Sequence, residues 1–154
     1  MADVAFDPTA TLQYIEQYAN TTGYFTAVQI GEPKGAIEFD MAASIFMESV
    51  SVVETTLVSP IELHSVTFRV YRNMLAEPIS EAETQVSTAV SEFLKSVFAN
   101  FTLGSTTRCV DVAGQYGSGV GATWGYIDVS GVMHRVCDIA LPVIVDESSS
   151  EFAA

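Results

Sequence analysis

The sequence predicts an α+β domain: a mixed, mainly antiparallel sheet with a long β-hairpin, packed against one long and one shorter helix. Three observations predict it. Residues 80–101 repeat apolar side chains at steps of three and four, the period of a helix with one buried stripe. Residues 41–57 and 62–74 are rich in β-branched side chains, and the second run alternates like a half-buried strand. Residues 106–145 add further strand-like runs separated by glycine-containing turns. A chain of 154 residues, 49% of them apolar, can bury one good core. Residues 1–146 therefore read as one domain and residues 147–154 as a flexible acidic tail.

The long helix carries the largest apolar face. Ala82, Val86, Ala89, Val90, Phe93, Leu94, Val97, Phe98 and Phe101 make up its stripe. Ser80 followed by Glu83 has capping-box spacing, and Glu81 adds charge where the helix dipole favours it. Pro78 blocks an earlier start, while Asn100 and Gly104 tolerate a left-handed ending. At about 1.5–3 kcal/mol per fully buried large side chain, such a face requires a broad apolar partner. A sheet supplies one.

In chain order, Asp7 and Pro8 open the shorter helix as N-cap and first helical residue. Leu12, Ile15 and Ala19, with Tyr18 beside them, give it a narrower apolar face, and residues 20–23 end it. Residues 24–30 read as a strand closed by an exposed loop, Gly31-Glu32-Pro33-Lys34-Gly35. In residues 41–57, Ile45, Met47 and Ser49 share one face; Phe46, Glu48, Val50 and Val52 share the other. A turn at Ser59-Pro60 leads to the run in which Val66, Phe68 and Val70 alternate with Thr67, Arg69 and Tyr71. Together these runs form an antiparallel hairpin whose longer arm reaches on the order of 50 Å. That exceeds the width of one small domain, so the arm either bends sharply or lies on something else. Residues 106–113 form a strand, residues 114–121 a glycine-rich loop, and residues 122–129 and 132–145 a second hairpin turning at Ser130-Gly131. Pro142 suits an edge strand or a strand's exit.

Composition narrows the function classes. The net charge is −13, with only six Lys and Arg. No basic stripe is available to neutralise phosphates, which excludes sequence-reading of nucleic acid. Few charges on a hydrophobic chain imply a surface covered by copies of itself or by other proteins. The opening residues Met1-Ala2-Asp3-Val4 lack the basic and apolar regions of a signal peptide, and no apolar run reaches the roughly eighteen residues of a membrane span. Cys109 and Cys137 lie far apart in strand-like runs and read as reduced, buried side chains of an intracellularly made protein.

The chemical motifs are weak. The segment Gly117-Ser118-Gly119-Val120-Gly121 lacks dinucleotide-loop spacing, has no lysine and leads into a strand; it reads as a mobile loop that orders on a partner. Ser118 is not a nucleophile elbow, because Gly117 precedes it directly. His64 and His134 read as partly exposed strand residues. Asp111, Asp128 and Asp138 fall in three successive strands. With His134 they are the basis for a metal-dependent hydrolase reading; solvated, pore-facing or inter-subunit carboxylates explain them equally well. No catalytic, cofactor or metal-binding residue is assigned.

The segments Gly31-Glu32-Pro33, Asn100-Phe101-Thr102-Leu103-Gly104, Arg108-Cys109-Val110-Asp111-Val112, Gly125-Tyr126-Ile127-Asp128 and Leu141-Pro142-Val143-Ile144-Val145-Asp146, with the long hairpin, carry a family resemblance over most of residues 8–146. On them the chain resembles the tail terminator proteins of long-tailed bacteriophages. The resemblance implies a small subunit that forms a homohexameric ring on the head-proximal end of the tail tube. The ring stops tube polymerisation and offers a joining surface to the head connector. Small neck and head-completion proteins share similar folds and are the alternative. Implied partners are further copies of the chain, the tail tube protein and the head connector, in a virion assembled in the host cytoplasm. DNA slides through the lumen without specific binding, and an acidic wall gives phosphates no sticking point. Glu48, Glu54, Pro60, Glu62, Tyr116 and Ser118 are the candidate interface residues; Glu48, Glu54 and Glu62 are candidates for the acidic lumen.

Overall fold

The computed structural model describes residues 7–33, 41–55, 60–73, 79–103 and 107–146, with backbone alone at 79–81. The tail at 147–154 and the turn residue Ser59 lie outside them. The elements run α1 (Pro8–Thr22), β1 (Ala27–Ile30), β2 (Ala42–Thr55), β3 (Pro60–Asn73), α2 (Ile79–Ala99), β4 (Arg108–Val110), β5 (Gly121–Val129) and β6 (Val132–Asp146). They form the expected α+β architecture: two helices on a mixed, mainly antiparallel sheet of six strands.

Local signals explain where most elements begin and end. Asp7 Oδ1 accepts the Ala10 amide at 3.2 Å, and Pro8 occupies the first helical position of α1. Gly23 ends this helix with a φ of 76°, a conformation that glycine adopts without a Cβ clash. The start of α2 differs from expectation. It begins at Ile79, so Ser80 falls inside the first turn and not at the cap. Glu83 turns outward to Arg135, 2.8 Å away, and accepts the Ser87 hydroxyl.

The strand order is β1-β2-β3-β6-β4, with β5 also paired to β6. Among the described residues only β1 and β2 are parallel. β6 is central, not an edge, yet Pro142 fits within it. β4 ends opposite Val143 and β5 begins opposite Ala140, so the missing amide falls in the gap between them. The Pro142 carbonyl there accepts the Asp111 amide at 2.8 Å.

Both helices cover one face of the sheet, and the main core lies between. Phe93 is its centre, stacked on Phe68 at 4.5 Å between centroids and edge-on to Phe25 at 5.5 Å. Ile45, Val66, Val70, Ile139 and Leu141 surround these rings. The α2 stripe is buried as far as Val97 and then breaks: Phe98 is 52% and Phe101 47% exposed. The sheet edge beside this end of α2 is the three-residue β4, too short to cover them. On the open face a smaller cluster gathers Ala42, Tyr71, Val129 and Val136.

The hairpin arms are fourteen residues each, and β2 is bent by register shifts at Met47/Ser49 and Val52/Glu54. Each inserts one residue and changes the alternation. Val50 and Val52, opposite His64 and Glu62, therefore share the helix-covered face with Ile45 and Met47. The unbroken alternation expected from sequence put them on the other face.

Candidate functional site

The hairpin presents an open edge. β1 pairs with β2 only from Ala42 to Ile45. Beyond Ile45, no strand among the described residues lies on the outer side of β2. Glu48 to Val52, Glu54 and Thr55 are exposed around that edge. A strand edge with free amides and carbonyls is a template for pairing with another chain. Val50 and Val52 are 38% and 47% exposed there.

Most candidate interface residues sit on or beside this hairpin. Glu48 is the inserted residue at the first shift; it is exposed and accepts the Thr67 hydroxyl at 3.0 Å. Glu54, next to the second shift, accepts the hydroxyl of Tyr116. Pro60 opens β3 opposite Thr55, and Ser118 is exposed on the glycine loop. Glu62 is different. It is fully buried on the helix-covered face, so it lies in this subunit's interior and not on a lumen wall.

Glu62 belongs to a buried polar chain that sequence reading missed. Arg108 Nε donates to Thr11 Oγ1 at 2.9 Å, Thr11 meets His64 Nδ1 at 2.7 Å, and His64 Nε2 meets Glu62 Oε1 at 2.6 Å. Read in that direction with a neutral imidazole protonated at Nε2, every hydrogen points at a lone pair. The Arg108 guanidinium lies 5.4 Å from the centre of the Tyr14 ring. The chain ties α1 to the tip half of the hairpin and to β4. Its signal was present: Glu62 and His64 are in phase with Val66, Phe68 and Val70. The Thr-His-Glu order is that of nucleophile, base and orienting carboxylate, but all three residues are 0% exposed, so in this arrangement no substrate reaches Thr11. His134 is equally buried, with Nδ1 2.9 Å from the Val132 carbonyl, so neither histidine has the partial exposure expected.

The glycine loop is folded onto its own subunit. Buried Asp111 accepts the amides of Gln115 and Tyr116 at 2.7 and 3.0 Å. Gly114 has a φ of 81°, and a Cβ there would meet the Gly117 carbonyl oxygen at 2.6 Å. Tyr116 then carries the loop to Glu54 on the hairpin. The expectation of a loop that awaits a partner is corrected: Asp111 and Glu54 supply its contacts from within. Beside it opens a cavity of about 360 Å³ lined by Ile61, Phe101, Arg108, Gln115, Tyr116 and Asp146.

The three aspartates do not converge. Asp111 holds the loop, Asp128 accepts the Gly131 amide in the β5–β6 turn, and Asp138 pairs with Arg69 at 2.6 and 3.0 Å. That hydrogen-bonded carboxylate holds the Arg69 guanidinium above the usual arginine range. Among the described residues no three His, Cys, Asp or Glu side chains gather as a metal site. Cys137 is buried, and that burial, reinforced by Asp138, pushes its thiol up to about 12. Cys109 is half-buried, less than expected, and desolvation followed by Asp111 and Asp146 raises its thiol as well. No helix among the described residues is long and apolar enough to cross a membrane. Compared with protein-family models and with curated proteins, the chain matches none.

Proposed function

We propose that the chain is a structural virion protein, a tail terminator that forms a ring at the head-proximal end of a bacteriophage tail tube. The ring, hexameric by the family resemblance, stops tube polymerisation and receives the head connector. The observation that carries this reading is the open β2 edge beyond Ile45, on an arm bent by two register shifts. Ten residues of one-sided strand call for a partner strand, and strand addition supplies it. The small number of charges in the chain supports a subunit surface covered on assembly. Glu48 and Glu54 remain exposed carboxylates that would suit a DNA-repelling lumen. The partners are other copies of the chain, the tube protein and the connector.

Imaging tails assembled without this protein tests the reading. Over-long tubes are expected. Tubes of normal length without heads would assign the chain to the neck instead. A purified protein that neither forms rings nor binds tube ends overturns the proposal.

A further inference from the structure

The sheet has two different edges at one level along its strands. Register across the sheet links Val50 to His64, Val143 and Val110, and links Val52 to Glu62, Val145 and Arg108. Val50 and Val110 are thus opposite ends of a single transverse row. Three antiparallel steps separate β2 from β4, so the two edge strands run in opposite directions. Beside β4 lies the end of α2, where the Val110 amide donates to the Phe101 carbonyl at 2.7 Å. One edge exposes Val50 and Val52; the other exposes Phe98 and Phe101. Val50, Val52 and Phe98 lie on the helix-bearing side, and Phe101 follows at the β4 edge, where it also lines the cavity beside Tyr116.

We infer that copies of this chain join edge to edge, with Val50 and Val52 on the β2 edge of one seated against Phe98 and Phe101 of the next. A rotation about an axis near the strand direction keeps strand polarity, and so brings β2 antiparallel to the neighbour's β4 side. The two edges are different surfaces, which makes the contact heterologous: each copy gives one edge and receives the other, and the contact repeats until a ring closes. Charge permits this pairing. A protein of net charge −13 repels its own copies, yet residues 49–53 and 98–103 are two uncharged runs. Seating an aliphatic row against aromatic rings also removes apolar surface from water. A second copy as occupant rests on the ring reading above.

The test uses two single variants of the full chain, Val52→Asp and Phe101→Asp. Each alters an exposed side chain, and circular dichroism and a denaturation midpoint check the fold. Native mass spectrometry then reads the assemblies. Wild type is expected to form a closed oligomer and each variant alone to lose it. Mixing the variants restores one intact contact, Val50 and Val52 from the Phe101→Asp copy against Phe98 and Phe101 from the Val52→Asp copy. A 1:1 dimer that grows no further is the expected product. If wild type assembles and both variants assemble alike, this contact is wrong while the ring reading stands. If Val52→Asp is monomeric but Phe101→Asp still dimerises, β2 pairs with itself and the heterologous contact is overturned. If wild type stays monomeric at every concentration, alone and with tail tubes, both the contact and the ring reading fail.

Discussion

Tyr116 on the glycine loop donates its hydroxyl to Glu54 near the tip of the hairpin, across 62 positions of sequence. The bond favours the neutral phenol, since a phenolate would face a carboxylate. The Tyr116 hydroxyl is therefore raised above the ordinary tyrosine value of 10.0, first by the Glu54 hydrogen bond. A raised value in the folded state means that the contact holds fully below the unfolded value and is lost as pH climbs through the folded one. Subtracting the phenolate absorbance titration of Tyr116→Phe from that of wild type should expose one late-titrating tyrosine. The same variant should speed amide exchange in residues 114–119 without unfolding the protein.

Phe93 and Phe98 lie on the same helix, yet they should respond differently to truncation. Phe93 is fully buried between Phe68 and Phe25, so Phe93→Ala should cost about 3–5 kcal/mol in urea denaturation. Phe98 is half exposed, and Phe98→Ala should cost under about 1 kcal/mol. Equal losses at both positions would show that the end of α2 is covered in the free subunit.

That contrast marks how far the sequence could be read. Period and caps placed α1, the hairpin and the β5–β6 turn, because Asp7, Pro8 and Gly23 act locally. Periodicity cannot say where a sheet stops, so it assigns Phe98 and Phe101 to the core although both are about half exposed. Nor does it see an inserted residue. One extra position at Glu48 moved Val50 and Val52 to the other face. The buried chain was hidden for another reason. Thr11, His64, Glu62 and Arg108 lie on three separate elements, and only tertiary packing brings them together.

Thr11 is the joint of that chain, accepting from Arg108 and bonded to His64 at 0% exposure. Thr11→Val keeps the volume but leaves two buried polar groups without this partner. A loss of about 1–3 kcal/mol is expected. Thr11→Ser keeps the hydroxyl and should recover most of it. Thermal melts of the pair separate the hydroxyl from packing: if Val and Ser melt alike, the hydroxyl contributes nothing.

The thiols should differ in reactivity. Thiolate is the attacking form, and Cys137, buried and pushed up to about 12, has almost none near neutral pH. Cys109 is half-buried and also raised, so it should react slowly but first. Titration with a chromogenic disulfide should give one slow equivalent in the native protein and two after denaturation. Prompt reaction of both would contradict the burial of Cys137.

Deletion of Glu48 separates folding from the aim of the hairpin. Glu48 is inserted between Met47, opposite Val66, and Ser49, opposite Ser65. Removing it leaves those pairs in register and restores simple alternation, so no core side chain has to change face. Inserted residues bend and twist the strand that carries them. The shortened arm should therefore run straighter, with the open edge and its Val50 and Val52 pointing in a new direction. Stability should change by less than about 1 kcal/mol, because the deleted side chain is exposed and its hydrogen bond to Thr67 is a surface one. Assembly should fail. Denaturation midpoints beside native mass spectra decide it: a variant as stable as wild type that remains monomeric places the information for assembly in the bend of β2, and one that still closes a ring places it elsewhere.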